Sequence, residues 1–158
     1  MRHLTTAVAL AAFSLTVPLT AQAQDEGPIQ QVIEARHGFF TMLSRNMGVL
    51  AGMAKGDIAY DEAAATTAAA NIEALTHYDL PGLFIEGSDS QTASADDSAA
   101  KPEIWQNMDD FRTKFQGLAE AASGASEAVK GGQESVGPVV GKLGQACKAC
   151  HDDYREKS

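Results

Sequence analysis

Cys147-Lys148-Ala149-Cys150-His151, seven residues from the end of a 158-residue chain, is the stretch on which the reading of this fold turns. C-x-x-C-H is the signature by which a c-type haem is attached covalently to a polypeptide. Two thiols form thioethers with the two vinyl groups of one porphyrin, and the next residue offers an imidazole to the iron. On a helix, Cys147 and Cys150 stand at i and i+3, and Cys147 and His151 at i and i+4, so all three project from one face.

A C-x-x-C pair has two other chemistries, a redox-active disulfide and half of a zinc site. The first wants a strand before the pair and a helix after it, whereas this pair lies near the end of a helical pattern with no strand-like alternation anywhere. Zinc would need two further ligands, and His3, His37 and His77, the other histidines, are not paired at ligand spacing. Haem attachment is therefore the expectation.

The N-terminus supplies context. Met1-Arg2-His3 precedes an apolar run from Ala7 to Thr16 and then Ala21-Gln22-Ala23, an A-x-A cleavage site. This is the pattern of a secretory signal peptide over residues 1–23, leaving a single domain over 24–158. The run is too short for a membrane span of about 20 residues, so no membrane insertion is expected after cleavage. With no lipidation Cys after the signal, the expected address is the periplasm. The mature chain would keep 11 Lys and Arg against 21 Asp and Glu, a formal charge of −10. Such a field makes nucleic acid and anionic membranes poor partners.

Working back from the motif, Val136, Val139, Val140, Leu143, Cys147, Cys150 and Tyr154 form one apolar stripe at helical spacing. Upstream, Ile29, Val32, Ile33, Arg36, Phe40, Leu43, Met47 and Leu50 mark a helix from about Pro28 to Met53, ended by Gly56 and Asp57. A second, alanine-rich helix begins near the N-cap Asp61 and runs through Ala64, Ala68, Ile72 and Leu75 until Pro81-Gly82 breaks it. Residues Glu86 to Lys101 have the composition of an exposed loop. A third helix opens with Pro102 and carries Ile104, Met108, Phe111, Phe115, Leu118 and Ala122. A break at Ser123 to Ser126 and the Gly131-Gly132 pair separate it from the last.

Four helices without a strand predict an all-α fold, an antiparallel four-helix bundle with haem c near the C-terminal helix. Gly137, Gly141 and Gly144 each cost that helix up to about 1 kcal/mol relative to alanine. Close approach of the porphyrin or a neighbouring helix would account for them, and so would a weak helix start.

The chain resembles the cytochromes c prime, class II c-type cytochromes with a C-terminal haem motif on a four-helix bundle. The resemblance spans the mature chain and rests on Lys142 to Arg155 around the motif, on Ile33-Glu34-Ala35-Arg36-His37-Gly38-Phe39-Phe40, and on Pro102-Glu103-Ile104-Trp105. It implies one covalent haem c, with Cys147 and Cys150 as thioether links and His151 as axial iron ligand. It also implies Arg36 near a propionate, Phe40 packed over the iron in the distal pocket where low-spin relatives look to have methionine, and Arg155 on the proximal side. His37 falls where relatives present a polar side chain to the haem edge, and it reads equally as an exposed surface histidine. Trp105 reads as core at the bundle's end. In several relatives an acidic residue six positions before the tryptophan approaches the haem; here that position is Ala99, which puts the contact in doubt. Relatives commonly form dimers through their first two helices, so a homodimer is expected.

An iron with two strong protein ligands transfers electrons, whereas an open one binds gases. None of the seven residues after His151 is Met or His, so a sixth ligand would have to come from upstream. Met42 lies about 200° around the helix from Phe40, Met47 about 10 Å further along the axis, and His37 nearly a turn back. Met108 sits at a core heptad position. The expectation is a five-coordinate, high-spin haem that binds nitric oxide or carbon monoxide, sequesters NO, and can undergo Fe(III)/Fe(II) electron transfer with a periplasmic redox partner. The alternatives are a dedicated low-spin electron carrier with a Met or His sixth ligand, and a haem-free helical interaction protein. No catalytic triad, phosphate loop or second metal site appears, so an enzyme is not expected.

Overall fold

A computed structural model describes residues 27–94 and 96–157; the expected signal segment 1–23 lies outside the described residues. The elements are α1 (Pro28–Lys55), α2 (Glu62–Thr76), a 3-10 turn (Leu80–Leu83), α3 (Glu103–Gln106), α4 (Met108–Ala122), α5 (Ala125–Ala128) and α6 (Gln133–Tyr154). The four long helices, α1, α2, α4 and α6, form an antiparallel bundle in which α1 packs on α2 and α6, and α4 packs on α6 and α2. Among the described residues there is no strand, only an isolated antiparallel bridge between Ala100 and Arg155.

The helix ends follow local chemistry. α1 has Pro28 in its first turn and stops at Gly56, whose φ of 81° lies in the left-handed region that glycine alone enters without a Cβ penalty. There Gly56 N–H donates to Met53 O at 3.1 Å and Asp57 N–H to Gly52 O at 2.9 Å, closing the last turn. α2 opens on Asp61, whose carboxylate accepts from Ala64 N–H at 2.8 Å.

The packing corrects the sequence stripes in four places. In α1 the core ring is Phe39, 4% exposed, while Phe40 is 38% exposed and turns toward the bundle's open cavity. In α2 the buried line is Ala65, Ala68, Ala69, Ile72 and Thr76 with Leu75 packed against the core, so that of the expected stripe only Ala64 is exposed. The expected third helix is two: α3 ends at Asn107, whose φ of −134° and ψ of 41° are not helical, and α4 begins after it. The segment 86–101 is not a simple exposed loop, since Ser88, Asp89, Ser90, Ser98 and Ala100 are all buried.

That segment is held from both sides. Asp89 caps its own turn by accepting from the N–H groups of Gln91 and Thr92, both at 2.9 Å, and these bonds pull its carboxyl below the usual range against the opposing effect of burial. Its far end pairs with the chain leaving α6: Lys101 N–H donates to Tyr154 O at 3.1 Å and Glu156 N–H to Ala99 O at 2.9 Å. The C-terminus is thus strapped across the segment.

Gly137, Gly141 and Gly144 have no neighbour within 4 Å of where a Cβ would stand, so close approach of another helix is not what selects them. Trp105 is only partly buried, packing against Phe84 with its Nε1 donating to Phe84 O at 3.0 Å. Among the described residues no helix is long and apolar enough to cross a membrane.

The Asp61 cap gives a direct test of the local reading. Asp61→Ala removes the acceptor for Ala64 N–H and is expected to cost about 1 kcal/mol, read as a lower urea midpoint at unchanged m value.

Candidate functional site

α6 places the motif where the bundle has not closed. Cys147, Cys150 and His151 all line one cavity of about 590 Å³, within the ~300–1,000 Å³ typical of small-molecule pockets. Both cysteines are half-buried, and they are not bonded to each other. α1 supplies a second wall with Arg36, His37, Phe40, Leu43 and Met47, and α4 a third with Phe111, Lys114, Phe115 and Leu118. Ser98, Ala99 and Ala100 come from the strapped segment, and Tyr154 and Arg155 from the end of α6. Every residue singled out from the sequence for this site therefore borders the same space.

The thiols are unlike those of a redox-active pair. Burial pushes Cys147 up, and pushes Cys150 up to about 11 despite the Lys114 charge nearby, so neither is a thiolate at neutral pH, as a disulfide oxidoreductase requires. No group of three or more His, Cys, Asp or Glu that could hold a metal ion is gathered among the described residues. His151 is held below the ordinary imidazole value by burial and then by the Arg155 charge, with Asp152 opposing. Neutral imidazole is the form that ligates a metal.

Three cations, Arg36, Lys114 and Arg155, line the cavity together with His37 and His151, and no Asp or Glu does. Its remaining walls are mainly aromatic and aliphatic. An apolar slot with cations around it, ending on two thiols and an imidazole, fits an amphiphilic macrocycle with anionic substituents.

Arg36 is the strongest single case. It is 4% exposed, and burial lowers its guanidinium to about 10, so it remains charged at neutral pH. Its Nη2 donates to Ser88 O at 2.8 Å and Ser98 Oγ at 3.3 Å, its Nη1 to Ser88 Oγ at 3.2 Å, and it stacks 4.6 Å from the Phe84 ring centroid. All these partners are neutral, and among the described residues no carboxylate is ion-paired with it. A buried cation without a counter-ion is costly, and an anionic ligand group in the adjoining cavity would supply one.

His37 and Arg155 are exposed and stand at the rim, Arg155 with its backbone in the bridge to Ala100. Phe40 meets the Phe39 ring edge-on at 5.5 Å. Of the methionines, Met42 faces away into a groove between α1 and α2, and Met108 does not border the cavity, whereas Met47 does, packed partly against the core.

Sequence reasoning missed Lys114, Thr41, Ser44, Ser88 and Ser98. Lys114 could have been found, because it interrupts the apolar stripe of α4 between Phe111 and Phe115 as Arg36 does that of α1. Ser44 leaves less free polarity than its hydroxyl implies, since Oγ donates to Thr41 O at 3.0 Å. The serines around Arg36 carried no local signal, because what distinguishes them is burial against a residue more than fifty positions away. At the position in doubt, Ala99 borders the cavity between the buried Ser98 and Ala100, so the segment does reach the site without an acidic side chain.

An all-α bundle with this motif on its last helix and a cavity against it defines a bundle-type c-type haem protein. Known proteins agree. The cytochrome c' family pattern matches residues 31–155. Cytochrome c' of Cereibacter sphaeroides is 40% identical over 153 residues, covering 95% of this chain and 97% of that one, and a cytochrome c-554 of the same organism is 41% identical, covering 92% and 93%. A solved cytochrome c' from Rhodobacter Spheriodes superposes with a TM-score of 0.77 at 39% identity, covering 82% of this chain and 98% of that one. The chain belongs to the cytochrome c' family, and with it to proteins that carry a covalent haem c and serve in electron transport.

Mass spectrometry tests the attachment residues. The matured chain is expected to run one haem heavier than its polypeptide under denaturing conditions, and Cys147→Ala/Cys150→Ala to lose that increment.

Proposed function

We propose that this chain is a periplasmic, five-coordinate, high-spin haem protein that takes up nitric oxide or carbon monoxide at an open distal position and sequesters NO. His151 would be its one axial protein ligand, with a single haem per chain and no enzymatic turnover. Bound haem c supplies a reversible Fe(III)/Fe(II) couple and a coordination position for a diatomic ligand; the protein residues supply everything else. The observation that carries the reading is the side chain at position 40: the α1 wall presents a phenylalanine to the cavity, 38% exposed, with no ligating atom.

The roles follow from chemistry and placement. Cys147 and Cys150 would tether the macrocycle to α6, and Arg36, already desolvated, would hold an anionic substituent with His37 at the rim. Phe40 is an apolar cap without a hydrogen-bond donor. Such a wall disfavours bound dioxygen, whose polar complex wants a donor, relative to less polar NO and CO. Arg155, four residues past His151, would lie over the proximal side, as the family resemblance implies, where a cation favours a proximally bound ligand. One observation favours the second reading, a low-spin electron carrier: Met47 borders the cavity and carries a thioether.

Visible and electron paramagnetic resonance spectra separate the two. A high-spin spectrum that responds to CO and NO is expected, with Phe40→Ala binding CO about tenfold faster, a barrier lowered by about 1.4 kcal/mol. A low-spin spectrum indifferent to CO would overturn the open site and leave Met47 or His37 as the sixth ligand.

Two copies would associate through α1 and α2, as the family resemblance implies. In support, those helices border an apolar groove in which Met42 and Tyr78 are about half exposed. Met42→Glu is expected to shift the haem-loaded protein from dimer to monomer in sedimentation velocity, leaving its visible spectrum unchanged.

A further inference from the structure

Lys114 borders the haem cavity from α4, with its side chain only 22% exposed, and none of the roles above uses it. Its Nζ lies 2.8 Å from Asp153 Oδ2 on α6 and 3.7 Å from Asp110 Oδ2 on its own helix. Asp110 Oδ2 in turn accepts from the Tyr154 hydroxyl at 2.7 Å. The four side chains make one network joining α4 to the last turn of α6, and its α6 members are two and three residues past His151. The hydrogen bond to Asp153 raises the Lys114 pKa, so the ammonium stays charged through the neutral range.

Lys114 differs from the other cations of the cavity. Arg36 is engaged by the strapped segment, while Arg155 and His37 are exposed and their fields are screened by water and salt. A charge held in place and partly shielded, as the Lys114 ammonium is, acts on a neighbouring centre more strongly than a free one, and Asp153, 57% exposed but fixed by that ammonium, acts more weakly. Taking one electron from a donor adds one negative charge to the haem without forming or breaking a bond. The lysine favours that reduced state, and the two carboxylates beside it oppose it.

We propose that Lys114 and Asp153 form a charge pair that sets the reduction potential of the haem, the ammonium raising it and the carboxylate lowering it. Tyr154 and Asp110 are positioning residues for the pair. The inference rests on haem attachment to Cys147 and Cys150, and the two fail separately: a chain lacking the mass of a haem would sink the attachment, whereas unmoved potentials in haem-loaded variants sink only the pair.

The test is a spectroelectrochemical titration of the haem-loaded, full-length protein, with an electrode and mediators as the one-electron donor. Lys114→Met, which keeps most of the stem, is expected to shift the reduction equilibrium toward the oxidised form by about threefold to tenfold, the upper figure being about 59 mV for one electron. Asp153→Asn should move it the opposite way, and Lys114→Arg should stay near the parent, all three with the parent's oxidised spectrum. A purely structural role would not give shifts of opposite sign. Potentials that stay put, or that move in the same direction in both variants, would overturn the proposal. Should Lys114→Met fail to load haem or change its spectrum, Asp153→Asn decides alone, since it retains the lysine: an upward shift supports the pair and any other result refutes it.

Discussion

A bundle of four helices normally closes on itself, with axes 8–10 Å apart and side chains filling the space between. The constraint on which this protein depends is that one end must stay open by about 590 Å³ while the rest packs tightly. Away from the opening, α2 presents Ala65, Ala68 and Ala69, all buried, so it can lie close to α1 and α4. Around the opening the packing changes to large rings. Phe111 meets the Tyr154 ring edge-on at 5.4 Å and the Phe84 ring at 4.7 Å, joining α4 to the last turn of α6. Small residues pack one part of the bundle and aromatic residues line the other.

An opening of this kind exposes polar needs as well as apolar walls. Tyr154 is buried, and burial together with its bond to Asp110 keeps its hydroxyl protonated well past neutrality. Arg36 is buried among neutral oxygens, and the segment that supplies them is itself strapped down by the chain leaving α6. Loop, first helix and C-terminus are therefore mechanically one unit around the haem site. A change at Ser88 reaches the cavity through Arg36, whereas Ser98 borders it directly.

The departures between sequence pattern and packing have specific causes. Phe39 and Phe40 are adjacent and equally apolar, and a helical stripe accepts either, so periodicity could not say which belonged to the core. The choice was made by Tyr78 and Phe115, whose rings lie 6.1 and 6.2 Å from Phe39. In α2, runs of alanine give the pattern almost no contrast, and Ala64 was read as buried where its neighbour Ala65 is. The segment 86–101 looked solvated because it is rich in Ser and Asp, yet its buried hydroxyls are satisfied, Ser88 donating to Ile85 O, Ser98 to Ser88 O and Ser90 to the Glu156 carboxylate, and satisfied hydroxyls can be buried.

What the sequence by itself determined was chemical and local: the covalent cofactor motif, its presentation from one helical face, the cap at Asp61, the stop at Gly56, and four amphipathic segments that could pack only as a bundle. Those depend on residue type and on spacings of three or four, both of which a chain carries without its fold. Which ring lines the cavity, which serines hold Arg36, and which lysine stands beside the attachment site were decided only by tertiary structure. Each of these is a contact between residues far apart in the chain, set by where helices with competing apolar faces came to rest.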